Sequence, residues 1–251
     1  KIIPDPIVSR FHSDAEVSKS RFSTALRHPE LLRLNYGIFA LHAVLMALWL
    51  VVPLSLREAG LAADHHWQMY LPVLVLSVLL MIPAIIYGEK KAKLKPVFIT
   101  AIALLTVGQG LIAFTNQSLW GIGIALVIFF TAFNLLEASL PSLISKIAPV
   151  EAKGTAIGIY SSTQFLGAFV GASLGGYLYQ HIGLTAIIVF CTGLLLVWLY
   201  FAFTMKTPAA VRSRMYHVAE MDNQQANGLS RELAALPGVH EALVLANEQV
   251  A

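Results

Sequence analysis

The chain is short of charge for its size. Asp, Glu, Lys and Arg make up only 12% of its 251 residues, whereas hydrophobic residues make up 57%. A soluble domain carries about 25% charged residues, which keep its surface hydrated. This deficit argues against a soluble enzyme and indicates that most of the surface contacts lipid.

Cysteine is scarcer still. The single Cys191 lies inside an apolar run, which excludes a disulfide framework and a cysteine-based zinc site. His65 and His66 follow Asp64, but three such residues in one loop are too few for a convincing metal site. We therefore expect no metal and no other cofactor. The net charge of +3 comes from basic residues in loops, so we expect no nucleic-acid partner.

Long apolar runs are abundant. Crossing about 30 Å of hydrocarbon takes roughly 20 helical residues. Six segments meet this requirement, at about 36–56, 68–87, 96–115, 119–143, 155–180 and 184–205. Because they are apolar on all sides, they predict helices rather than the alternating strands of a barrel. The expected fold is an all-α membrane bundle over 35–206, between a polar segment (1–34) and a polar tail (207–251).

Basic residues predict the orientation of this bundle. Of the 17 Lys and Arg residues, all but Arg57 fall in the leading segment, in the tail, or in the connections after the second and fourth spans. Cytoplasmic loops carry this excess of positive charge. The sequence therefore predicts that both termini are cytoplasmic. The chain begins at Lys1 without an initiator Met or an apolar signal region, and we interpret it as a fragment of a longer protein.

Several segments resemble the major facilitator superfamily, in particular its bacterial proton-coupled, drug-transporter-like members. Residues 25–33 and 36–39 resemble the entry into the seventh helix of that fold. The segment Glu89-Lys-Lys-Ala-Lys-Leu-Lys95 resembles a degenerate copy of the loop motif D-R-x-G-R-[RK] between helices eight and nine. Residues 141–146 resemble the end of helix ten.

The resemblance implies one half of a twelve-helix transporter, built as two inverted three-helix units. The missing partner would be the N-terminal six-helix half, and the bilayer would be a bacterial inner membrane. Residues 229–250 resemble the start of a ferredoxin-like domain that follows the twelfth helix in some members. The predicted tail is therefore a truncated α/β domain.

Glu137 is the one formally charged side chain inside the six spans. Intramembrane carboxylates are costly and usually face the bundle interior or water, where they can carry protons. Asn134 lies one helical turn earlier on the same face. Alternatively, Glu137 lies near the cytoplasmic end and pairs with Lys90 or Lys93 as part of a gate, in the loop that begins at Glu89. Both interpretations remain open.

Small and polar residues mark two further features. Gly167, Gly171 and Gly175 recur every four residues and predict close helix packing. Gly171 to Gly175 also matches G-x-S-x-G, but that motif requires a strand–turn–helix context, so packing is the better interpretation. His42, Gln109 and Gln164 should face inward, where each either hydrogen-bonds a neighbouring helix or lines a substrate cavity. The resemblance places three aromatic residues on the wall of that cavity, Trp49, Phe130 and Phe133.

The leading hypothesis is proton-coupled transport of a small molecule, in the direction of efflux, by alternating access. An aromatic, weakly polar cavity suits an amphipathic or hydrophobic solute. The alternative is a six-span membrane anchor or scaffold that presents a cytoplasmic interaction domain. An intramembrane hydrolase is disfavoured, because the spans contain no paired Ser/His or Asp/Asp arrangement and no H-E-x-x-H.

Overall fold

The computed structural model describes residues 19–91, 93–115, 117–149, 152–206, 216, 221–239, 242 and 244. The chain divides into two units, 1–208 and 209–251. The described helices of the first unit are α1 (Lys19–Arg27), α2 (Pro29–Glu58), α3 (Trp67–Lys90), α4 (Leu94–Thr115), α5 (Leu119–Ile147), α6 (Lys153–His181) and α7 (Leu184–Thr204). A short 3-10 turn, Ala63–His65, precedes α3, and α8 (Asn223–Ala234) lies in the second unit.

Each predicted span corresponds to one long helix, α2 to α7. Five of them are long and apolar enough to cross a membrane, with mean hydropathy between 2.1 and 2.5. The exception is α6, which has 29 residues but whose apolar residues are interrupted by six glycines and the run Ser161-Ser-Thr-Gln164. The prediction of an all-helical membrane protein is confirmed, and the span at α6 stays a prediction.

Five of the six long helices are longer than the apolar runs that predict them, whereas α7 ends one residue before its predicted end. α2 begins at Pro29, seven residues before the predicted start, and α5 continues to Ile147, four residues beyond the predicted end. At the start of α2, the His28 imidazole accepts a hydrogen bond from the Leu31 N–H at 3.4 Å. Capping by a side chain lets a helix continue past its apolar residues into the polar interface.

The packing of the six long helices repeats itself. α2 packs against α6, and the corresponding pair is α5 against α3. In the same way, α5 packs against α4 and α2 packs against α7. α2 also touches α5, and α4 touches α7. Two three-helix units, α2–α4 and α5–α7, related by a two-fold axis would produce this exchange of contacts.

Polar contacts gather the basic helix ends at one end of the bundle. Arg33, near the start of α2, donates to the Thr204 carbonyl at 2.8 Å. Lys95, near the start of α4, donates to carbonyls at the end of α7. Lys146, at the end of α5, lies 3.4 Å from Glu89 at the end of α3. The positively charged flanks therefore share one face, as a common membrane side requires.

In the second unit, α8 begins at Asp222, whose carboxylate accepts hydrogen bonds from the backbone N–H groups of Gln224 and Gln225. The Gln225 side chain accepts from the Asp222 N–H in return, which completes a capping box. The helix therefore starts six residues before the segment that suggested it. No strand occurs in the described residues of this unit. The resemblance to a ferredoxin-like domain places a strand at 242–245, of which residues 243 and 245 lie outside the described residues.

Candidate functional site

Three polar side chains from different helices meet inside the bundle. Gln164 Nε2 on α6 lies 2.8 Å from His42 Nε2 on α2 and 3.5 Å from Glu137 Oε1 on α5. His42 Nε2 also lies 3.9 Å from Glu137 Oε2. We call these three residues the polar cluster. Each was a separate candidate in the sequence, and the fold brings them together.

The hydrogen bonds of the imidazole indicate its tautomer. His42 Nδ1 lies 3.3 Å from the Ile38 carbonyl, an acceptor, so Nδ1 carries the proton. His42 Nε2 then has a free lone pair that accepts one N–H of the Gln164 amide. The second amide N–H points to the Glu137 carboxylate. The amide therefore bridges a neutral imidazole and a carboxylate.

The cluster is surrounded by polar atoms with unmet hydrogen-bonding capacity. Glu137 Oε2, Asn134 Nδ2 and Tyr160 Oη are all buried, and none has a hydrogen-bond partner among the described residues. Buried polar atoms without partners are uncommon in folded proteins and call for an explanation. A water molecule or a polar solute group would satisfy them, and a proton would satisfy the Glu137 oxygen alone.

The cluster lies close to mid-height in the bundle. Counted along each helix at about 1.5 Å per residue, His42 lies about 2 Å from the midpoint of α2, Gln164 about 5 Å from that of α6, and Glu137 about 6 Å from that of α5. All three are displaced toward the basic end. Glu137 is therefore farther from the basic end than the shorter predicted helix implied.

Tyr160 is a member of this neighbourhood that the sequence analysis missed. It is 6% exposed, and its hydroxyl is one of the buried polar atoms without a hydrogen-bond partner among the described residues. Tyr160 and Gln164 are four residues apart on α6, and residues at that spacing share a helix face. This spacing was the available signal.

The close approach of α6 to α2 positions the amide beside the imidazole. A methyl group added at Gly167 would overlap the backbone of Phe39, and one at Gly171 would overlap the backbone of Ala43. At Gly175 the added carbon would lie 3.3 Å from Ala47. The three glycines thus face α2 over about two turns, and at Gly167 and Gly171 only a hydrogen atom fits.

Aromatic side chains flank the cluster toward the opposite end of the bundle. The Phe133 ring lies 6.0 Å from the His42 ring, and Phe130 lies 6.2 Å from Phe133. Trp49 then contacts Phe130 at 6.4 Å and Tyr70 at 5.3 Å between ring centroids. Phe130 and Phe133 are buried, whereas Trp49 is 42% exposed. Trp49, Tyr70 and Phe130 line an apolar depression of about 190 Å³.

Gln109 lies elsewhere. Its side chain is fully buried, and Gln109 Nε2 donates to the Ile188 carbonyl at 3.4 Å. Gln109 Oε1 accepts from the Thr192 hydroxyl at 3.2 Å. Both partners belong to α7, so the amide joins α4 to α7 and does not face the polar cluster.

The lysine-rich connection between α3 and α4, with Lys90, Lys91 and Lys93, also lies apart from Glu137. Glu89 Oε1 pairs with Lys146 Nζ at 3.4 Å, and Lys93 Nζ lies 3.4 Å from the Tyr87 hydroxyl. Lys90 and Lys93 are exposed. At the basic end the carboxylate that pairs with a lysine is therefore that of Glu89, with Lys146. Glu137 faces His42 and Gln164 instead.

Metal ligands are sparse in the described residues. No group of three or more His, Cys, Asp or Glu side chains there is arranged to hold a metal ion. In the loop before α3, His65 Nδ1 lies 3.0 Å from Asp64 Oδ1, and both side chains are exposed.

The polar cluster is suited to proton exchange. A carboxylate and an imidazole can each take a proton. The amide between them can donate to either group when that group is deprotonated and accept from it when it is protonated. Histidine and carboxylate groups arranged in this way form proton relays inside membranes.

The chain is similar to known membrane transport proteins. Residues 34–217 match the family model of the Major Facilitator Superfamily. The chain is 36% identical over 251 residues to the "Inner membrane transport protein YajR" of Escherichia coli (strain K12). The match covers the whole of this chain and 55% of that protein. It is 27% identical to an "Uncharacterized transporter" of Buchnera aphidicola subsp. Baizongia pistaciae. That match covers 76% of this chain and 48% of the relative.

A third relative is the "Multidrug resistance protein MdtH" of Aeromonas hydrophila. It is 30% identical over 146 residues, which are 58% of this chain and 36% of that protein. The chain spans about half the length, or less, of these curated relatives.

Proposed function

The chain belongs to the Major Facilitator Superfamily, a family of transporters rather than of enzymes, and we propose that it forms the second half of a proton-coupled secondary transporter. In this proposal α2 to α7 are helices seven to twelve of a twelve-helix protein. The two halves rock about a site at mid-membrane and expose it to each side in turn.

Exposed faces support a missing six-helix half. Only 11% of the most apolar 18-residue stretch of α3 is buried within the bundle. Large apolar side chains on α3 and α6 are exposed, namely Leu71, Val75, Leu79, Phe165 and Phe169. Faces of this kind require lipid or a partner. The chain's span of about half its relatives accords with this reading.

We assign α6 as a sixth membrane span. Its 29 residues are long enough, and it packs along α2, which is itself long and apolar enough to span. Its lower apolarity is explained if one face lines a polar pathway and the glycine face contacts α2. Helices buried in protein can carry such polar residues inside a membrane.

The observation that carries proton coupling is the position of Glu137. Its carboxylate lies about 6 Å from the midpoint of α5, and one of its oxygens has no hydrogen-bond partner among the described residues. A titratable imidazole lies 3.9 Å away. In the outward-open state, where the solute is released, this carboxylate would bind a proton from outside, and in the inward-open state it would release that proton to the cytoplasm.

Gln164 would couple the two titratable groups. With neutral His42 and ionised Glu137, its Nε2 donates to both, as in the structure. If both groups bind protons, both become donors toward the amide, which then must rotate to present Oε1. Uptake of protons would thus change a contact between α2, α5 and α6.

For the substrate we propose an amphipathic small molecule moved outward. The aromatic depression at Trp49, Tyr70 and Phe130 offers apolar contact beside the polar cluster. One relative is named a multidrug resistance protein, which suggests efflux of such compounds.

The orientation follows from charge. We propose a bacterial inner membrane, with the basic helix ends and both termini in the cytoplasm. The tail would complete a ferredoxin-like domain beyond α8. Reporter fusions after Lys91 and after His65 test the orientation, because the first should report the cytoplasm and the second the exterior.

Glu137→Gln in the intact protein tests the coupling role. The amide keeps the shape of the side chain but cannot bind a proton. We expect pH-driven efflux of a fluorescent amphipathic dye to be lost, and a carboxylic-acid C=O band that appears on acidification in infrared difference spectra to disappear.

Glu89→Gln is the matched control, since it removes a carboxylate that is 53% exposed at the basic end. It should retain the pH-dependent band of the buried carboxyl and the pH profile of efflux. An unchanged infrared band and full flux in Glu137→Gln would remove this residue from proton coupling.

A further inference from the structure

A second cavity lies at the basic end of the bundle, apart from the polar cluster. It is partly open to its surroundings and has an empty volume of about 460 Å³, which includes the open space at its mouth. Helices α3, α4 and α5 enclose it, and most of its lining is apolar, from Ile85, Leu94, Val97, Phe98, Leu135 and Leu143. The remaining lining includes three polar side chains, Glu89, Ser139 and Ser142.

The lysine-rich connection forms the rim of this cavity. Glu89 and Leu94 both line it, and Lys90, Lys91 and Lys93 lie between them in the chain. All three lysines are exposed. Because two residues that line the cavity bracket this short connection, the lysines stand at its mouth.

The rim carries a positive charge after its acid is accounted for. Glu89 is paired with Lys146 at 3.4 Å, so its charge is offset within the rim. The three exposed lysines then leave a positive field above an apolar interior. Basic pockets between membrane helices on the cytoplasmic side bind anionic lipid head groups.

We propose that this cavity binds an anionic phospholipid, with an acyl chain between α3, α4 and α5 and the phosphate at Lys90, Lys91 and Lys93. A free anion would use the lysines but leave the apolar interior unfilled. A neutral lipid would fill the interior but gain nothing from the charge. Only an anionic amphiphile complements both parts of the site.

The serines fit a hydroxylated head group. Ser142 lies on the lining one helical turn from Ser139 on α5, so both hydroxyls share a side of the cavity. The glycerol head group of phosphatidylglycerol offers donors and acceptors to them.

Lipid titration of the intact, delipidated protein in mild detergent tests the proposal, with bound lipid counted by native mass spectrometry. We expect dioleoylphosphatidylglycerol to bind more tightly than dioleoylphosphatidylethanolamine. The K90Q/K91Q/K93Q variant should weaken phosphatidylglycerol binding on the order of 10- to 100-fold, from several-fold per lysine near a membrane surface.

Two further variants separate charge from cavity. Ala138→Phe places a ring in the cavity, since Ala138 lines it and is exposed, and should abolish the preference while the lysines remain. The control is R27Q/K153Q/K206Q, which removes the same charge from residues outside the connection that the lining residues Glu89 and Leu94 bracket. It should bind phosphatidylglycerol like the unmodified protein.

Three results would overturn the proposal. The first is equal binding of the two lipids by the unmodified protein. The second is full displacement of phosphatidylglycerol by glycerol 3-phosphate, which would show an anion site without a lipid. The third is normal lipid binding by Ala138→Phe with an unchanged thermal midpoint, which would place the lipid elsewhere.

Discussion

Replacing Gly171 by alanine tests the link between helix packing and the polar cluster. The added Cβ would lie 2.5 Å from the Ala43 Cα and would also overlap the carbonyl of that residue, whereas ordinary contacts begin at 3.4 Å. The obstruction is backbone, which no side-chain rotation can relieve. α6 must therefore move about 1 Å away from α2.

This displacement has a predictable effect on the cluster. Gln164 lies seven residues before Gly171, two turns along the same face of α6. A shift of about 1 Å would lengthen the 2.8 Å contact between Gln164 Nε2 and His42 Nε2 beyond hydrogen-bond distance. Overpacking of this kind costs about 1–3 kcal/mol. We expect both lower stability and a changed pH dependence of transport.

Gly176→Ala is the matched control, because an added Cβ there meets nothing within 4 Å. Both substitutions add one methyl group to the same helix, and both replace glycine by a better helix former. Reversible unfolding in mixed micelles of mild detergent and dodecyl sulfate measures the difference in free energy of unfolding. Gly175→Ala, with contacts at 3.3 Å, should fall between the two.

Equal stability of Gly171→Ala and Gly176→Ala, with the same pH profile of efflux, would refute the reasoning. It would mean that α2 and α6 do not pack through the glycine stripe in the membrane. Lower stability of Gly171→Ala with an unchanged pH profile would keep the packing but separate it from the coupling mechanism.

Three further predictions follow from single contacts. Trp49→Ala should weaken binding of an aromatic dye in fluorescence titrations, whereas Trp120→Ala, at a side chain that is 85% exposed, should not. Gln109→Leu should lower the free energy of unfolding by about 1–3 kcal/mol, because its partners on α7 lose a buried hydrogen bond, while the pH profile of efflux stays unchanged. Lys95→Met should speed amide hydrogen exchange in the last turn of α7, whose carbonyls it caps.

The sequence predicts the helices well because that information is local. A run of about 20 apolar residues is a helix in lipid wherever it lies in the chain. The distribution of basic residues also predicts which helix ends lie on the same side of the membrane. The contact between Lys146 and Glu89, at the ends of α5 and α3, accords with that prediction. Helix ends are harder to predict, because the interface tolerates polar residues and caps such as His28 extend a helix beyond its apolar part.

The site is less predictable from sequence. Polar residues in a span mark candidates, and His42, Gln164 and Glu137 were all marked in this way. Gln109 was marked by the same argument, yet it joins α4 to α7. Polarity shows that a side chain avoids lipid, but it does not show which neighbour the side chain reaches.

The sequence by itself determined that this is an all-helical membrane protein, and it determined the order of the helices and the charged ends. These properties depend on composition over one helix length. The tertiary structure alone decided that the amide of Gln164 bridges His42 and Glu137, and that Glu89 pairs with Lys146. Helices that are apolar on all sides have no stripe that sets their rotation, so partners are chosen by packing between helices, here where the glycines of α6 contact α2.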